Sequence, residues 1–104
     1  MHATIRRYEG VDATRINEVV GKVNETLVPK LRELPGFAGY YLIEGNSGVL
    51  SSLGLFETSE QAEQSTKAVS TWITDENFNS AIPNAPKITS GKVVARSDRV
   101  LALA

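Results

Sequence analysis

Residues 37–56 read FAGYYLIEGNSGVLSSLGLF. Two stretches rich in aromatic and aliphatic residues flank Gly45-Asn46-Ser47-Gly48, which has the chemistry of a hairpin turn. The spacing predicts one strand over 37–44 and a return strand over 49–56. Successive side chains of a strand point to opposite faces, and here neither face is polar. Phe37, Tyr41 and Ile43 fall on one side, Tyr40 and Leu42 on the other; in the return strand Val49, Leu53 and Leu55 oppose Leu50 and Phe56. Helices of the same chain can cover only one side of such a sheet. The other side would be an apolar patch larger than a monomer normally exposes. A second copy packed sheet to sheet is its simplest cover, because symmetric homodimers are the commonest oligomers.

Before the hairpin, Val11, Ile16, Val19, Val20, Val23, Leu27, Val28, Leu31 and Leu34 recur mostly at steps of three and four, the mark of a one-sided helix. Asp12 is its expected N-cap, and Pro35-Gly36 ends it. Pro29 removes a helical N–H and crowds the preceding turn, so a kink or restart is expected near Val28. Ahead of this helix, Ala3 to Tyr8 has strand character. After the hairpin, Thr58 and Gln61 form a capping-box pattern. It opens a second helix over about 59–73, with a narrow, small-residue stripe at Ala62, Ser65, Val69 and Trp72 or Ile73. A further short helical turn, capped by Thr74 or Asp75, is expected to run to Ile82. A last strand is expected over 87–96, followed by a short apolar tail. The order strand, helix, strand, strand, helix, strand predicts an α+β, ferredoxin-like βαββαβ domain with two helices on a four-stranded antiparallel sheet.

A chain of 104 residues allows one domain, with a core over about 2–96 and the tail over 97–104. Eleven Lys and Arg against twelve Asp and Glu give a net charge of −1. That removes the electrostatic case for a nucleic-acid or anionic-membrane partner. Without cysteine there is no disulfide, thiolate metal site or Cys nucleophile, and one histidine, His2, cannot build a multi-histidine metal site. No apolar run approaches the roughly 18 residues of a membrane span, and no signal-peptide pattern opens the chain, so the expected address is the cytoplasm. Dinucleotide and phosphate loops, the HExxH zinc motif, EF-hand loops and GxSxG elbows are all missing.

Three segments together resemble the antibiotic biosynthesis monooxygenase-like family: Leu34-Pro35-Gly36-Phe37-Ala38-Gly39-Tyr40-Tyr41, Ser52-Leu53-Gly54-Leu55-Phe56-Glu57-Thr58-Ser59-Glu60-Gln61-Ala62, and Ala68-Val69-Ser70-Thr71-Trp72-Ile73. The resemblance spans about residues 2–96. It implies a dimeric α+β barrel in which two ferredoxin-like protomers join their sheets. It also implies cofactor-free oxidation of a phenolic or quinol-like molecule held by a polar first-strand residue and a helix tryptophan. On that reading Arg6 or Arg7 binds an anionic oxygen, Trp72 and Phe78 line the pocket, and no cofactor or metal is needed. The haem-degrading branch has a pattern similar to residues 72–82, but its iron-ligating histidine falls at Ile82, and its first-strand asparagine falls at Arg6 or Arg7. Haem chemistry is therefore not expected here. Fold does not carry a reaction with it, and a non-catalytic ligand-binding or dimerisation protein is the alternative.

The packing readings stand beside these. Trp72 can be a core residue whose indole N–H finds one partner, and Phe78, Phe56, Tyr40 and Tyr41 can be core or dimer interface. Arg6 and Arg7 are adjacent in a strand and so face opposite ways. A buried one needs an anionic partner; otherwise both pair with Glu9 or Glu44 at the strand end. His2 sits where chains fray. Lys92, Arg96 and Ser90 share one strand face, a cationic spot or a solvated edge. Asn24-Glu25-Thr26 matches a glycosylation acceptor on a helix and reads as chance.

Overall fold

A computed structural model describes residues 1–97, so the apolar tail lies almost wholly outside the described residues. Four strands form one sheet: β1 His2–Tyr8, β2 Phe37–Glu44, β3 Leu50–Phe56 and β4 Lys87–Lys92. Their order is β2-β3-β1-β4 and every pairing is antiparallel. The helices α1 Ile16–Lys22, α2 Val28–Arg32 and α3 Ser59–Asp75 complete the expected α+β architecture. Among the described residues no helix is long and apolar enough to cross a membrane.

The alternation within β1 and β3 decides which side chains meet the helices. Thr4, Arg6 and Tyr8 are buried, as are Leu50, Ser52, Gly54 and Phe56. Against them pack Val19, Val23, Leu27 and Leu31 of the first helical stretch, with Val69 and Trp72 of α3. Of the stripe expected on α3, Ala62, Ser65, Val69 and Trp72 are buried, and Ile73 is only partly so. The capping box is also present, with the Thr58 hydroxyl accepting from the Gln61 N–H and the Gln61 amide oxygen accepting from the Thr58 N–H. Gly36 precedes β2 at φ 77°, and a Cβ there would fall on the Gln61 side chain. Glycine therefore lets the α2–β2 junction close onto the start of α3.

Several boundaries differ from the sequence reading, each for a physical reason. The first helix departs from α geometry before Pro29: residues Val23–Leu27 form a π-turn, closed by the Val28 N–H bonding five residues back to the Val23 carbonyl. Proline, with no N–H of its own, sits in the first turn of the restarted helix, where no donor is missed. No further helical turn is capped at Thr74 or Asp75. Instead α3 ends in a Schellman motif, with Asn77 at φ 61° and the Phe78 and Asn77 N–H groups bonding back to Ile73 and Thr74. The last strand closes at Lys92 rather than residue 96, extended by one bond from the Val93 N–H to the Met1 carbonyl.

The strand alternation predicts Phe37 beside Tyr41 and Ile43. A register shift between Phe37 and Gly39 turns it to the helix side instead, where its ring meets Phe56 edge-on at 5.7 Å. Ile5, Tyr41 and Ile43 remain on the helix-free face, 44%, 61% and 57% exposed.

Candidate functional site

The inner face of β3 runs Leu50, Ser52, Gly54, Phe56, with two small residues between large apolar ones. Ser52 is the cross-strand partner of Arg6. The guanidinium fills the room the small pair leaves: Nη1 lies 3.8 Å from the position of a Cβ on Gly54. Arg6 is 1% exposed. Its Nη2 donates to the Ser65 hydroxyl at 3.1 Å and the Thr66 hydroxyl at 2.6 Å, both on α3. Nε is sealed off with no partner, as is the Ser52 hydroxyl oxygen.

A buried cation ordinarily has an anion beside it. Among the described residues Arg6 has none: the ion pairs are Arg7–Glu9, Arg15–Glu18, Lys22–Glu25 and Lys87–Glu9, and no described carboxylate reaches Arg6. Two phenols flank it instead. Burial pushes the Tyr40 hydroxyl up to about 12, helped by Tyr8 and opposed by Arg6; Ser52 approaches it without a hydrogen bond of normal geometry. Burial likewise raises Tyr8, against the pull of Arg6. Loss of hydration lowers the Arg6 guanidinium, and the two tyrosines oppose that shift. The two tyrosine shifts keep the phenols protonated, so neither compensates the Arg6 charge.

Arg6 opens onto a cleft of about 210 Å³ between α3 and the β4 edge, lined also by Tyr8, Thr66, Ser70, Ile73, Pro86 and Ile88. Tyr8 and Ile73 separate it from an apolar space of about 20 Å³ that includes Tyr40, Trp72 and Ile82. On the far side of Tyr40 and Leu42, a groove of about 310 Å³ runs along Val20, Val23, Asn24 and Val28.

The four residues singled out from the sequence separate here. Arg6 is the first-strand arginine that faces the helices. Arg7 points the other way, exposed, with Nε 2.8 Å from the Glu9 carboxylate. Trp72 is core at 2% exposed, and its indole N–H donates to the Thr26 hydroxyl at 2.7 Å. Phe78 packs on Trp72 at 5.5 Å, with the Arg15 guanidinium 5.6 Å above its ring. Trp72 reaches the Arg6 cleft only through the shared wall of Tyr8 and Ile73; Phe78 does not reach it. Tyr8, Ser52 and Thr66 were not anticipated. The available signal was the polar pair Thr4 and Arg6 alternating inward beside Ser52 and Gly54.

Ile82 presents a hydrocarbon side chain to the space beside Trp72, where the haem branch would place an iron ligand. It offers no donor atom, and about 20 Å³ does not admit a macrocycle, so the residues present do not fit haem. Among the described residues no group of three or more His, Asp or Glu is placed to hold a metal ion. The His2 ring Nε2 lies 2.8 Å from the Ser90 hydroxyl on the exposed β1–β4 edge.

No protein-family model and no curated protein matches the sequence. Solved structures do match its shape. A Streptomyces coelicolor monooxygenase from the gene ActVA-Orf6, in complex with nanaomycin D, shares 14% identity over 95% of this chain and 92% of its own, with a TM-score of 0.71. An antibiotic biosynthesis monooxygenase shares 16% over 91% of this chain and 100% of its own, at 0.67. A single-substitution mutant of MhuD, with two manganese protoporphyrin IX bound per active site, shares 15% over 95% and 100%, at 0.70. The chain has the fold of the antibiotic biosynthesis monooxygenases.

Proposed function

We propose that this protein binds a small phenolic or quinol-like molecule in the cleft at Arg6 and oxidises it with molecular oxygen, without a cofactor. The observation that carries the reading is Arg6 itself: a buried guanidinium with no carboxylate partner among the described residues, at the wall of a partly apolar cleft. An anionic oxygen of a ligand would supply the missing charge through a charge-assisted hydrogen bond. Apolar walls with one or two polar anchors are the usual make-up of such a site. The S. coelicolor monooxygenase of the same fold binds nanaomycin D, which supports a polycyclic oxygenated ligand class. Oxidation of a phenolic methylene to a carbonyl balances with one O2: one oxygen atom enters the substrate, the other leaves as water, and the substrate supplies all four electrons. No external reductant is then required. In this chain Arg6 would hold the phenolate oxygen, and the walls at Ile73 and Ile88 would orient the ring.

The second reading is binding without turnover. It is favoured by the lining of the cleft, which contains no Asp, Glu or His to move a proton. We further propose that a second copy covers the open sheet face at Ile5, Tyr41 and Ile43, and that the protein acts in the cytoplasm.

Oxygen uptake with a panel of hydroquinones and anthrone-type phenols separates the two readings. The oxidative reading expects turnover that disappears in Arg6→Met. Saturable binding with no product would establish the second reading and end the first.

A further inference from the structure

The lining of the Arg6 cleft constrains the state in which a ligand enters. Of the guanidinium nitrogens, Nη2 donates to Ser65 and Thr66, the latter itself a cleft residue, while Nε is sealed off and Nη1 lies against Gly54. The remaining polar lining is Tyr8, Thr66 and Ser70. Thr66 Oγ1 accepts from Arg6 and lies 3.3 Å from the Ala62 carbonyl, which can take its proton. Tyr8, whose hydroxyl burial holds in the protonated form, donates rather than accepts a proton. Glu63 and Lys67 line a different cleft, which shares Thr66 and Ile88 with this one.

A neutral phenol bound at Arg6 would thus meet, among the described residues, no base to take its proton, and would leave the buried charge uncompensated. The same molecule as an anion would neutralise it. The cleft, at about 210 Å³, lies below the range of roughly 300–1,000 Å³ usual for drug-sized ligands, so it has room for one or two rings.

We infer that the cleft takes its ligand already ionised: a one- or two-ring acidic enol, hydroxyquinone or aromatic carboxylate whose anionic oxygen rests on Arg6, in preference to the neutral phenol of the same shape. This rests on the proposed reading that the Arg6 cleft is the ligand site.

The probes are lawsone, a hydroxynaphthoquinone ionised at pH 7, and 2-naphthol, which has a similar bicyclic frame and is neutral there. Titration calorimetry at pH 7 is expected to show lawsone binding at least about tenfold more tightly, the scale of one charge-assisted hydrogen bond. Arg6→Lys should keep the preference and Arg6→Met should erase it. Ile88, half exposed at the cleft rim, offers a variant that does not disturb the core: Ile88→Trp should block both probes. Equal affinity for the two probes in the wild type would overturn the ionised-ligand inference and leave a phenol-binding cleft standing. No binding of either probe would overturn both. Unchanged lawsone binding in Ile88→Trp would place the ligand elsewhere and overturn the inference as well.

Discussion

Replacing Arg6 by methionine should not destabilise the protein, although Arg6 is among its most deeply buried side chains. Two effects oppose each other. The substitution removes two hydrogen bonds from a charged donor, to Ser65 and Thr66, each worth about 1.5–3 kcal/mol. It also relieves the cost of burying an unpaired guanidinium, several kcal/mol by measured precedent, and the cost of an orphaned Nε, about 1–3 kcal/mol. The acceptors are not stranded, because Ser65 and Thr66 both reach the Ala62 carbonyl. Methionine is flexible enough to occupy the space over Gly54. The sum lies within about 1 kcal/mol of zero, on the favourable side. In a domain this size that corresponds to a melting temperature unchanged or raised by about 5 °C. Differential scanning fluorimetry at pH 7, with urea unfolding as a check, reads it directly. A fall of more than about 10 °C, equivalent to roughly 2 kcal/mol, would show that Arg6 is a structural anchor whose charge the fold already accommodates. A ligand anion would then not be needed to neutralise the site. Stability held or gained together with lost binding is the trade expected of a residue kept for function.

Three further outcomes are expected. Trp72→Phe loses the indole bond to Thr26 and part of the ring volume, and should lower unfolding stability by about 2 kcal/mol in urea; an unchanged midpoint would show that the bond contributes nothing. The folded protein keeps the Tyr40 proton up to about pH 12, whereas an unfolded tyrosine loses it near pH 10. In that window the native state binds more protons than the unfolded chain, so stability is fully present below about pH 10 and declines toward pH 12; thermal melts of Tyr40→Phe across that interval should show a shallower decline. Ile43→Glu places a charge on the open sheet face, where Ile43 is 57% exposed in the single chain. It should shift sedimentation from two chains to one with little change in secondary structure.

Much of the fold was legible because its signals are local. The hairpin turn, the capping box at Thr58 and Gln61, and the stripe Ala62, Ser65, Val69, Trp72 each follow from a few neighbouring residues. The misplaced features depend on geometry that residue types do not announce. A single extra residue at Ala38 reverses the facing of Phe37. Asn77 in the left-handed region ends α3 where a capped continuation was equally consistent with the sequence. The interruption of the first helix was signalled by Pro29, but its form, a π-turn that brings the Thr26 hydroxyl to Trp72, depends on packing against α3. The site was half legible. Strand alternation required that one of Arg6 and Arg7 turn inward, and Glu9 two residues on marked a partner for the exposed one. That the inward arginine would lack a carboxylate emerges only from the assembled sheet, where Ser52 and Gly54, distant in sequence, stand beside it.

Native mass spectrometry of the freshly purified protein, with and without excess lawsone, tests the central claim most directly, because it reports assembly and ligand together. The account predicts a two-chain species that holds one acidic small molecule per chain, and the loss of that molecule in Arg6→Met with the assembly intact. Single chains that retain nothing even in excess lawsone would contradict both the covered sheet and the anion cleft.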